Sequence, residues 1–428
     1  MTSKWDRAAG RPIIRYAGVS LLLVLTVPAQ AQADGGGLLI IEGLIALDVQ
    51  QADPGTAWSR SGLGRYLSDD AGIGGVQAHL GLDWQPSPNW TWTAQVRADN
   101  RGEARALQRI GVVAATVSRH WYFRDEARLT LQVGQDFLPT SLEAVDRLWQ
   151  SRYTLSLSSL NSWIAEEIRP IGIDGHWRSA PDQVHGVEVG GRVFAGNDSA
   201  GSLLAWRGFA MHDRLSVLGE SLPLPPLPSL ADPAQFGEQR DIGTRPFGPD
   251  LDGRPGYALH GRVIREERWK LLASWFDNRG DRRLHRGEYA WDTRFRLLGA
   301  HWQVTPSWEL AAESLRGKTG MGSTDAPAFV DVDFRSTYLL SSWSPNEAWR
   351  LSLRWERFAI LDRDHSVAED NSDRGRALAV AGIWTPGAHW RLGLEYLAAD
   401  TSHAAADLLS QARETAGDSV RFEARYRF

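Results

Sequence analysis

The stretch Val420-Arg421-Phe422-Glu423-Ala424-Arg425-Tyr426-Arg427-Phe428 ends the chain and alternates without a break. Apolar or aromatic residues take every second position, and charged residues take the positions between them. Successive side chains of a β-strand point to opposite faces. The pattern therefore predicts a strand with one apolar face and one charged face.

The other end of the chain has the features of an export signal. Four basic residues from Lys4 to Arg15 precede the apolar run 17–28, and Ala29-Gln30-Ala31 follows that run. This order is typical of a secretory signal peptide. We expect residues 1–31 to be that signal, with cleavage after Ala31 or Ala33. The apolar run is too short to span a bilayer as a helix.

The composition narrows the class of protein. At 43% hydrophobic residues and a mean hydropathy of -0.33, the chain is too polar for a helical membrane protein. It nevertheless contains 20 Trp, and Trp concentrates at membrane interfaces. It has no Cys, which excludes disulfides and thiolate metal sites. The net charge of -5 becomes -8 without the four basic and one acidic residues of the signal, and it argues against nucleic-acid binding.

Tryptophan flanks a recurring short turn that contains proline. Four pairs share this arrangement: Trp84 with Trp90, Trp302 with Trp308, Trp343 with Trp349, and Trp384 with Trp390. Short proline-containing segments between alternating runs are typical of tight hairpins. Trp on both sides of the same kind of turn predicts an aromatic girdle at one membrane interface. The alternative, a soluble β-sandwich with buried Trp, does not require Trp at every second turn.

Long polar connections alternate with these short turns, which predicts an all-β, antiparallel, up-and-down arrangement. The count is 18 strands if Ser202–Met211 and Leu215–Glu220 are both strands. It is 16 if 197–255 is a single excursion outside the sheet. Both counts are even, so both return the two ends of the chain to the same side.

One face of the clearly alternating strands is polar. In 90–99, for example, the residues from Thr91 to Asp99 at odd positions are polar or charged, and those at even positions are apolar. We expect the polar face to point into a water-filled interior and to be polar throughout.

These features together resemble the outer-membrane β-barrels of Gram-negative bacteria, of the porin type. The resemblance covers the mature chain as architecture and implies one transmembrane barrel domain, 34–428, with short periplasmic turns and long external loops. It implies that Phe428 belongs to the strand that closes the barrel. It also implies insertion by the barrel-assembly machinery, contact with outer-membrane lipids and lipopolysaccharide, and assembly as a homotrimer as one option.

In general porins the loop between the fifth and sixth strands folds into the barrel, and 138–167 occupies that position here. The resemblance implies a pore constriction in which acidic residues of this loop face arginines of the wall. The acidic residues are Glu143, Asp146, Glu166 and Glu167, and the arginines are Arg97, Arg354, Arg421 and Arg425. Opposed charges of this kind sort solutes by charge. An ordinary surface loop is the alternative interpretation.

The segment 221–255 contains eight prolines, which exclude a regular helix or a central strand. We expect a long, stiff loop that either caps the mouth of the barrel or folds into it.

Motifs that resemble enzyme sites fail in their context. Gly317-Lys318-Thr319 lacks the first glycine of a phosphate-binding loop, because residue 312 is Ala. Gly417-Asp418-Ser419 has no His after it to activate the serine. The histidines show no metal-binding spacing. We therefore expect no catalytic residue, cofactor or metal.

The predicted function is a passive channel for small hydrophilic solutes, with a preference for anions because the interior is rich in Arg. The first alternative is a conduit for an acidic polysaccharide, similar to alginate-export barrels. The second is a barrel-embedded lipid hydrolase, which would need an outward-facing Ser–His pair.

Overall fold

A computed structural model describes residues 30–32, 37–53, 57–59, 62–67, 75–101, 107–124, 126–179, 185–231, 236, 239, 243–265, 268–323, 325, 329–364 and 368–428. The predicted signal peptide lies outside the described residues except for its last two positions. Among the described residues, no helix is both long and apolar enough to cross a membrane.

Sixteen antiparallel strands form the barrel, each paired with its neighbours in chain order. They are β1 Leu38–Ala52, β2 Val76–Ser87, β3 Trp90–Asp99, β4 Ile110–Tyr122, β5 Arg128–Gln135, β6 Ile171–Arg178, β7 Gly186–Ala195, β8 Gly256–Arg265, β9 Trp269–Asp277, β10 Asp292–Thr305, β11 Trp308–Met321, β12 Val330–Asn346, β13 Trp349–Asp362, β14 Asp373–Trp384, β15 Trp390–His403 and β16 Glu414–Arg427.

Shorter elements accompany the barrel strands. They are a strand at Gln30–Gln32 beside the start of β1, a hairpin of Leu284–His285 with Glu288–Tyr289, the helices α1 Ser159–Glu167, α2 Ser202–Trp206 and α3 Pro228–Ala231, and a 3-10 helix at Ala404–Leu409. Helix α1 lies in the loop between β5 and β6, residues 136–170, which we call L3. Helices α2 and α3 lie in the loop between β7 and β8, residues 196–255, which we call L4.

The barrel closes because β16 pairs with β1, from Ser419 opposite Ala52 to Arg427 opposite Leu44. Closure leaves neither terminal strand with a free edge. A sheet exposed to lipid must have no free edge, because its unpaired backbone groups could not bond to water. The all-β antiparallel barrel predicted from the sequence is thus confirmed.

The strand count of 18 is wrong, and the alternative of 16 is confirmed. Ser202–Trp206 forms α2, and 215–220 has no regular structure. The apolar side chains of these segments, such as Leu204, Trp206 and Leu215, are buried. A segment with apolar residues on every side suits the interior of the barrel, whereas a strand of the wall needs one polar face.

The predicted facing of the clearly alternating strands is confirmed. In β3, Trp90 and Trp92 are exposed, whereas Gln95, Arg97 and Asp99 are buried. In β16, Val420 and Phe422 are exposed, whereas Arg421, Glu423 and Arg425 are buried.

The prediction that the inner face is polar throughout is wrong. On β10 to β13 several buried inward residues are apolar or aromatic, among them Phe295, Leu315, Phe334 and Phe358. These residues pack against apolar side chains of L3 and L4. This part of the inner wall is therefore built to hold protein rather than water.

All eight predicted girdle tryptophans lie beside short turns, and all except the half-buried Trp302 are exposed. Some stack across neighbouring strands, such as Trp349 on Trp384 with ring centroids 5.9 Å apart. Their place at a membrane interface stays a prediction.

The seat of Phe428 on β1 generates a test of barrel closure. Gly43 N–H donates to the Phe428 carbonyl at 2.9 Å, and Phe428 N–H donates to the Gly43 carbonyl at 3.1 Å. A Cβ on Gly43 would lie 2.2 Å from the ring of Phe428, so only glycine leaves room for this ring.

We expect Gly43→Ala to displace the ring and to lower the yield of heat-modifiable, folded barrel, at a cost of roughly 1–3 kcal/mol. Deleting Phe428 should have a larger effect, and adding Gly43→Ala to that deletion should change little further, because both remove one contact. Gly382→Ala is the control, since its Cβ would meet its nearest neighbour at 3.6 Å. Equal yields for Gly43→Ala and Gly382→Ala would refute this role of Gly43.

Candidate functional site: the filled interior of the barrel

Carboxylates of the inner wall hold the backbone of L3 inside the barrel. Leu155 N–H donates to Glu395 at 2.8 Å, Ser159 N–H donates to Glu356 at 2.6 Å, and Leu142 N–H donates to Glu313 at 2.6 Å. An irregular buried loop has many backbone N–H groups without partners of their own. Wall residues on β11, β13 and β15 supply these partners, so L3 is fastened from several sides.

A buried ion pair lies at the centre of this contact. Arg354 of β13 and Glu143 of L3 approach to 2.7 Å, and both are fully buried. Glu143 also accepts hydrogen bonds from Ser158 N–H at 2.9 Å and from Asn161 at 2.9 Å. Arg354 donates to the Ser156 carbonyl at 2.7 Å. Because buried charges are tolerated only with such complete pairing, this contact fixes where L3 lies.

L4 enters the barrel on the side of β1, β3 and β16. Asp213 of L4 lies 2.7 Å from Arg101 and 2.9 Å from Arg421, and Gln77 donates to it at 3.0 Å. The surrounding arginines keep the pKa of Asp213 well below its usual range, although burial opposes ionisation.

L3 and L4 contact one another through the end of α1. Glu166 lies 2.7 Å from Arg207 and 2.9 Å from His212, both in L4. Burial opposes ionisation of Glu166, but these two neighbours lower its pKa to about 2.

The next residue, Glu167, has no cation beside it among the described residues. It accepts hydrogen bonds from Trp163 and from the start of α2, where Gly201 N–H donates at 3.0 Å and Ser202 Oγ at 3.2 Å. Burial raises the pKa of Glu167 to about 7, and the neighbouring charge of Glu166 acts in the same direction.

Aromatic packing fills the space between these polar contacts. The Trp163 ring lies 5.3 Å from Phe295 and 5.1 Å from Phe334, measured between centroids. Trp206 of α2 lies edge-on to Trp291 at 5.0 Å. The interior is therefore a protein core made jointly by wall, L3 and L4.

The eight residues of the predicted constriction all lie inside the barrel, but they do not form two opposed rings. Among the four acidic residues, only Glu143 contacts one of the four arginines. Asp146 pairs with Arg427, and Glu166 pairs with L4 rather than with the wall. Arg97 lies 3.5 Å from Glu220, and Arg425 lies 3.0 Å from Glu423.

The sequence interpretation missed the contribution of L4. Arg207, His212, Asp213 and Glu220 are the polar residues that connect L4 to L3 and to the wall. The sequence of L4 does indicate burial, since a run of apolar and charged residues without strand alternation is unusual in a solvated loop. The segment 221–255 also contributes buried residues, among them Leu222, Leu227 and Leu230, as one of its two predicted placements requires.

A cavity of about 410 Å³ remains between L3 and the wall strands β5 to β9. Four acidic and four basic side chains line it, together with two histidines: Asp136, Asp146, Asp174, Glu188, Arg147, Arg192, Arg262, Lys270, His176 and His260. Asp174 lies 2.8 Å from His176 and 3.1 Å from His260. Asp146 is the one residue of the predicted constriction that lines this cavity.

Solved structures with a similar fold are outer-membrane proteins. OmpF of Salmonella typhi, in a complex with daunomycin, gives a TM-score of 0.54 at 10% identity, with 93% of this chain and 100% of that chain covered. The outer membrane channel DcaP of Acinetobacter baumannii gives 0.53 at 12% identity, with 94% and 100% covered. The anion-selective porin of Comamonas acidovorans gives 0.50 at 10% identity, with 92% and 100% covered.

No protein-family model matches the chain, and no curated protein matches its sequence. At 12% identity or less, the structural likeness concerns the fold. The chain is therefore a closed β-barrel with the fold seen in outer-membrane porins.

The raised pKa of Glu167 predicts a pH dependence of the contact between L3 and L4. A carboxyl group with a pKa of about 7 in the folded protein and 4.5 otherwise stabilises the fold fully below pH 4.5. This contribution is lost as the pH rises through 7. Ionised Glu166 stabilises the fold fully above pH 4.5, and this stabilisation is lost only as the pH falls toward 2. Glu166 therefore adds no pH dependence between pH 5 and pH 8.

We expect ionisation of Glu167 to lower the thermal unfolding midpoint of the purified barrel at pH 8 relative to pH 5. Glu167→Gln should reduce this difference, because the amide stays neutral at both values. Burial also raises the pKa of Asp198 to about 7. Asp198 is present in both proteins, so the comparison isolates the effect of Glu167. If wild type and Glu167→Gln show the same pH dependence, Glu167 does not control this contact.

Proposed function

We propose that the protein is an outer-membrane channel for passive diffusion of small hydrophilic solutes, and that L3 and L4 close it in the conformation described. The observation that carries the proposal is the charged cavity between L3 and β5 to β9. It lies inside a closed barrel and is bounded by a loop rather than by a continuous core. Solutes would pass along this wall once L4 no longer covers L3.

The lining of the cavity bears on selectivity. Its four acidic and four basic side chains give no net formal charge when the histidines are neutral. Arg192 lies 3.6 Å from Asp174, so part of the positive charge is compensated locally. This lining supports hydrophilic solutes of either sign, with at most a modest preference for anions.

The two alternatives receive less support. A conduit for an acidic polysaccharide needs a wide, continuous passage, whereas the cavity of about 410 Å³ fits a small solute. No contact among the described residues favours a lipid hydrolase. We therefore propose a channel without enzymatic activity.

The outer surface supports a location in the outer membrane of a Gram-negative bacterium. On β11 to β14 an outward tryptophan at the short-turn end is followed, eight residues along the strand, by an outward arginine: Trp308 and Arg316, Trp343 and Arg335, Trp349 and Arg357, Trp384 and Arg376. Eight residues extend about 26 Å along a strand. With the usual strand tilt, this is comparable with an apolar band of about 25 Å.

The arginines form a row at the long-loop end of the barrel. Arg296 lies directly opposite Arg316, and Arg316 lies directly opposite Arg335. None of these three has an ion-pair partner among the described residues. Like charges placed opposite one another destabilise a sheet. Phosphate groups of lipopolysaccharide in the outer leaflet would relieve this repulsion, so we propose that lipid as the partner of the row.

The arginine row also bears on assembly. It lies on β10 to β14, which we therefore place against lipid. The outward residues of β1 and β16, among them Leu47, Val49 and Phe422, are apolar and exposed. A homotrimer would bury this second surface between copies. Insertion would use the barrel-assembly machinery.

The arginine row is tested by replacing Arg296, Arg316 and Arg335 with Ala. We expect the purified triple variant to retain less than half of the lipopolysaccharide that copurifies with wild type, measured as phosphate per barrel. The control replaces Arg124, Arg265 and Arg268 with Ala. These arginines lie at short turns, and their replacement removes the same amount of charge. Equal retention in the two triple variants would rule out the row as a lipid site.

The channel is tested by shortening L4. Phe194 and Gly256 lie opposite one another in the barrel, so a two-residue Gly-Ser turn can join Ala195 to Gly256 in place of L4. We expect single-channel conductance in planar bilayers to rise at least several-fold, because the buried segment that covers L3 is gone.

The matched control replaces 322–329 with the same Gly-Ser turn, which can join β11 to β12 because Met321 lies opposite Val330. This replacement should leave conductance unchanged, because 322–329 is not part of L3 or L4. The proposal fails if the barrel without L4 folds, as shown by heat-modifiable migration, and still conducts no more than wild type. Reversal potentials in salt gradients then give the charge preference of the open state.

A further inference from the structure

Three aspartates of L4 come together at the rim of the barrel, although 52 residues separate the first from the second. One carboxylate oxygen each from Asp198, Asp250 and Asp252 lie within 4.8 Å of one another. Asp198 follows directly after β7, and the other two precede β8. The cluster therefore connects the start of L4 to its end.

The backbone makes this approach feasible. Gly196 and Asn197 both have positive φ, at 71° and 65°, which turns the chain sharply before Asp198. A Cβ on Gly196 would lie 3.6 Å from the Gly248 carbonyl, so the two ends of L4 run in contact here.

Asp198 is buried, and one of its two carboxylate oxygens has no hydrogen-bond partner among the described residues. This side chain is 2% exposed, and its Oδ1 atom has no hydrogen-bond donor among the described residues. Its other oxygen accepts a hydrogen bond from Leu251 N–H at 2.5 Å. A buried carboxylate oxygen without a partner is costly, and native structures avoid it.

No cation of the described part of the chain compensates the three charges. None of the three aspartates forms an ion pair with a described Arg, Lys or His. The remaining oxygens of the cluster accept backbone hydrogen bonds, as Asp252 does from Asp281 N–H at 2.7 Å and Asp250 does from Gly253 N–H at 2.8 Å.

We propose that Asp198, Asp250 and Asp252 bind one Ca²⁺ ion that fastens both ends of L4 at the rim of the barrel. Calcium takes six to eight oxygen ligands at about 2.3–2.6 Å, and ligand oxygens within 4.8 Å of one another fit around one such ion. Asp250 is exposed, so water completes the coordination. Mg²⁺ fits less well, because it demands a stricter octahedral geometry at about 2.0–2.1 Å.

The sequence predicts no metal site, because it holds no set of metal ligands at short spacing. Only the fold brings 198 next to 250–252. Through the hydrogen bond of Asp252 with Asp281, the ion would also connect L4 to the neighbouring loop 278–291.

The experiment titrates CaCl₂ into the metal-stripped, full-length barrel in detergent and follows binding by calorimetry and by the midpoint of thermal unfolding. We expect one Ca²⁺ per chain, a higher midpoint with Ca²⁺ than without it, and at least tenfold weaker binding of Mg²⁺. Asp198→Asn should weaken Ca²⁺ binding at least tenfold.

Asp250→Asn should weaken Ca²⁺ binding as well. Because Asp250 is exposed, this variant is expected to fold, and it tests the site if Asp198→Asn does not fold. The control is Asp407→Asn, which removes an exposed aspartate that pairs with Arg413, and its Ca²⁺ affinity should match wild type. The proposal is overturned if wild type binds no Ca²⁺ at millimolar concentration, or if the Asp198 and Asp250 variants bind it as tightly as wild type.

Discussion

The pairing of β16 with β1 is the constraint on which the rest of the structure depends. Once the two edges meet, the number of strands sets the width of the interior. Side chains alone fill a barrel of about eight strands, but they do not fill one of sixteen. The remaining space must then hold water or inserted chain. In this protein it holds L3 and L4, together with a charged cavity along β5 to β9.

Inserted loops carry a physical cost, because their backbone groups leave water without forming regular structure. The inner wall meets this cost with carboxylates, as Glu395, Glu356 and Glu313 accept backbone N–H groups of L3. Arginines of the wall hold L4 through Asp213. Polar inner residues that look like the lining of a wide pore thus serve largely as attachment points. The cavity is what remains for solutes in this conformation.

The sequence predicted the wall better than its contents. Strict alternation, as in 90–99 and 420–428, reports directly which residues face lipid, because the outer solvent is uniformly apolar. The inner face has no uniform solvent, so β10 carries Phe295 inward and β12 carries Phe334 inward, and β10 alternates poorly. The partners of Glu166 and the approach of Asp198 to Asp250 depend on how L4 folds back, and no local pattern encodes contacts between distant segments. Glu143 lies against Arg354 of the wall, and its position between the fifth and sixth strands is the sequence feature that pointed to L3.

The most direct test of this account asks whether L3 lies against the inner wall in the membrane. The Oγ atoms of Ser159 in α1 and Ser336 in β12 are 2.8 Å apart, and the natural chain has no Cys. With both residues changed to Cys, the account predicts an intramolecular disulfide in the folded barrel upon mild oxidation. Pairing Ser159→Cys with Ser341→Cys, on the outer face of the same strand, should give none. A folded barrel in which the Ser159–Ser336 pair stays reduced under oxidant would contradict the filled interior.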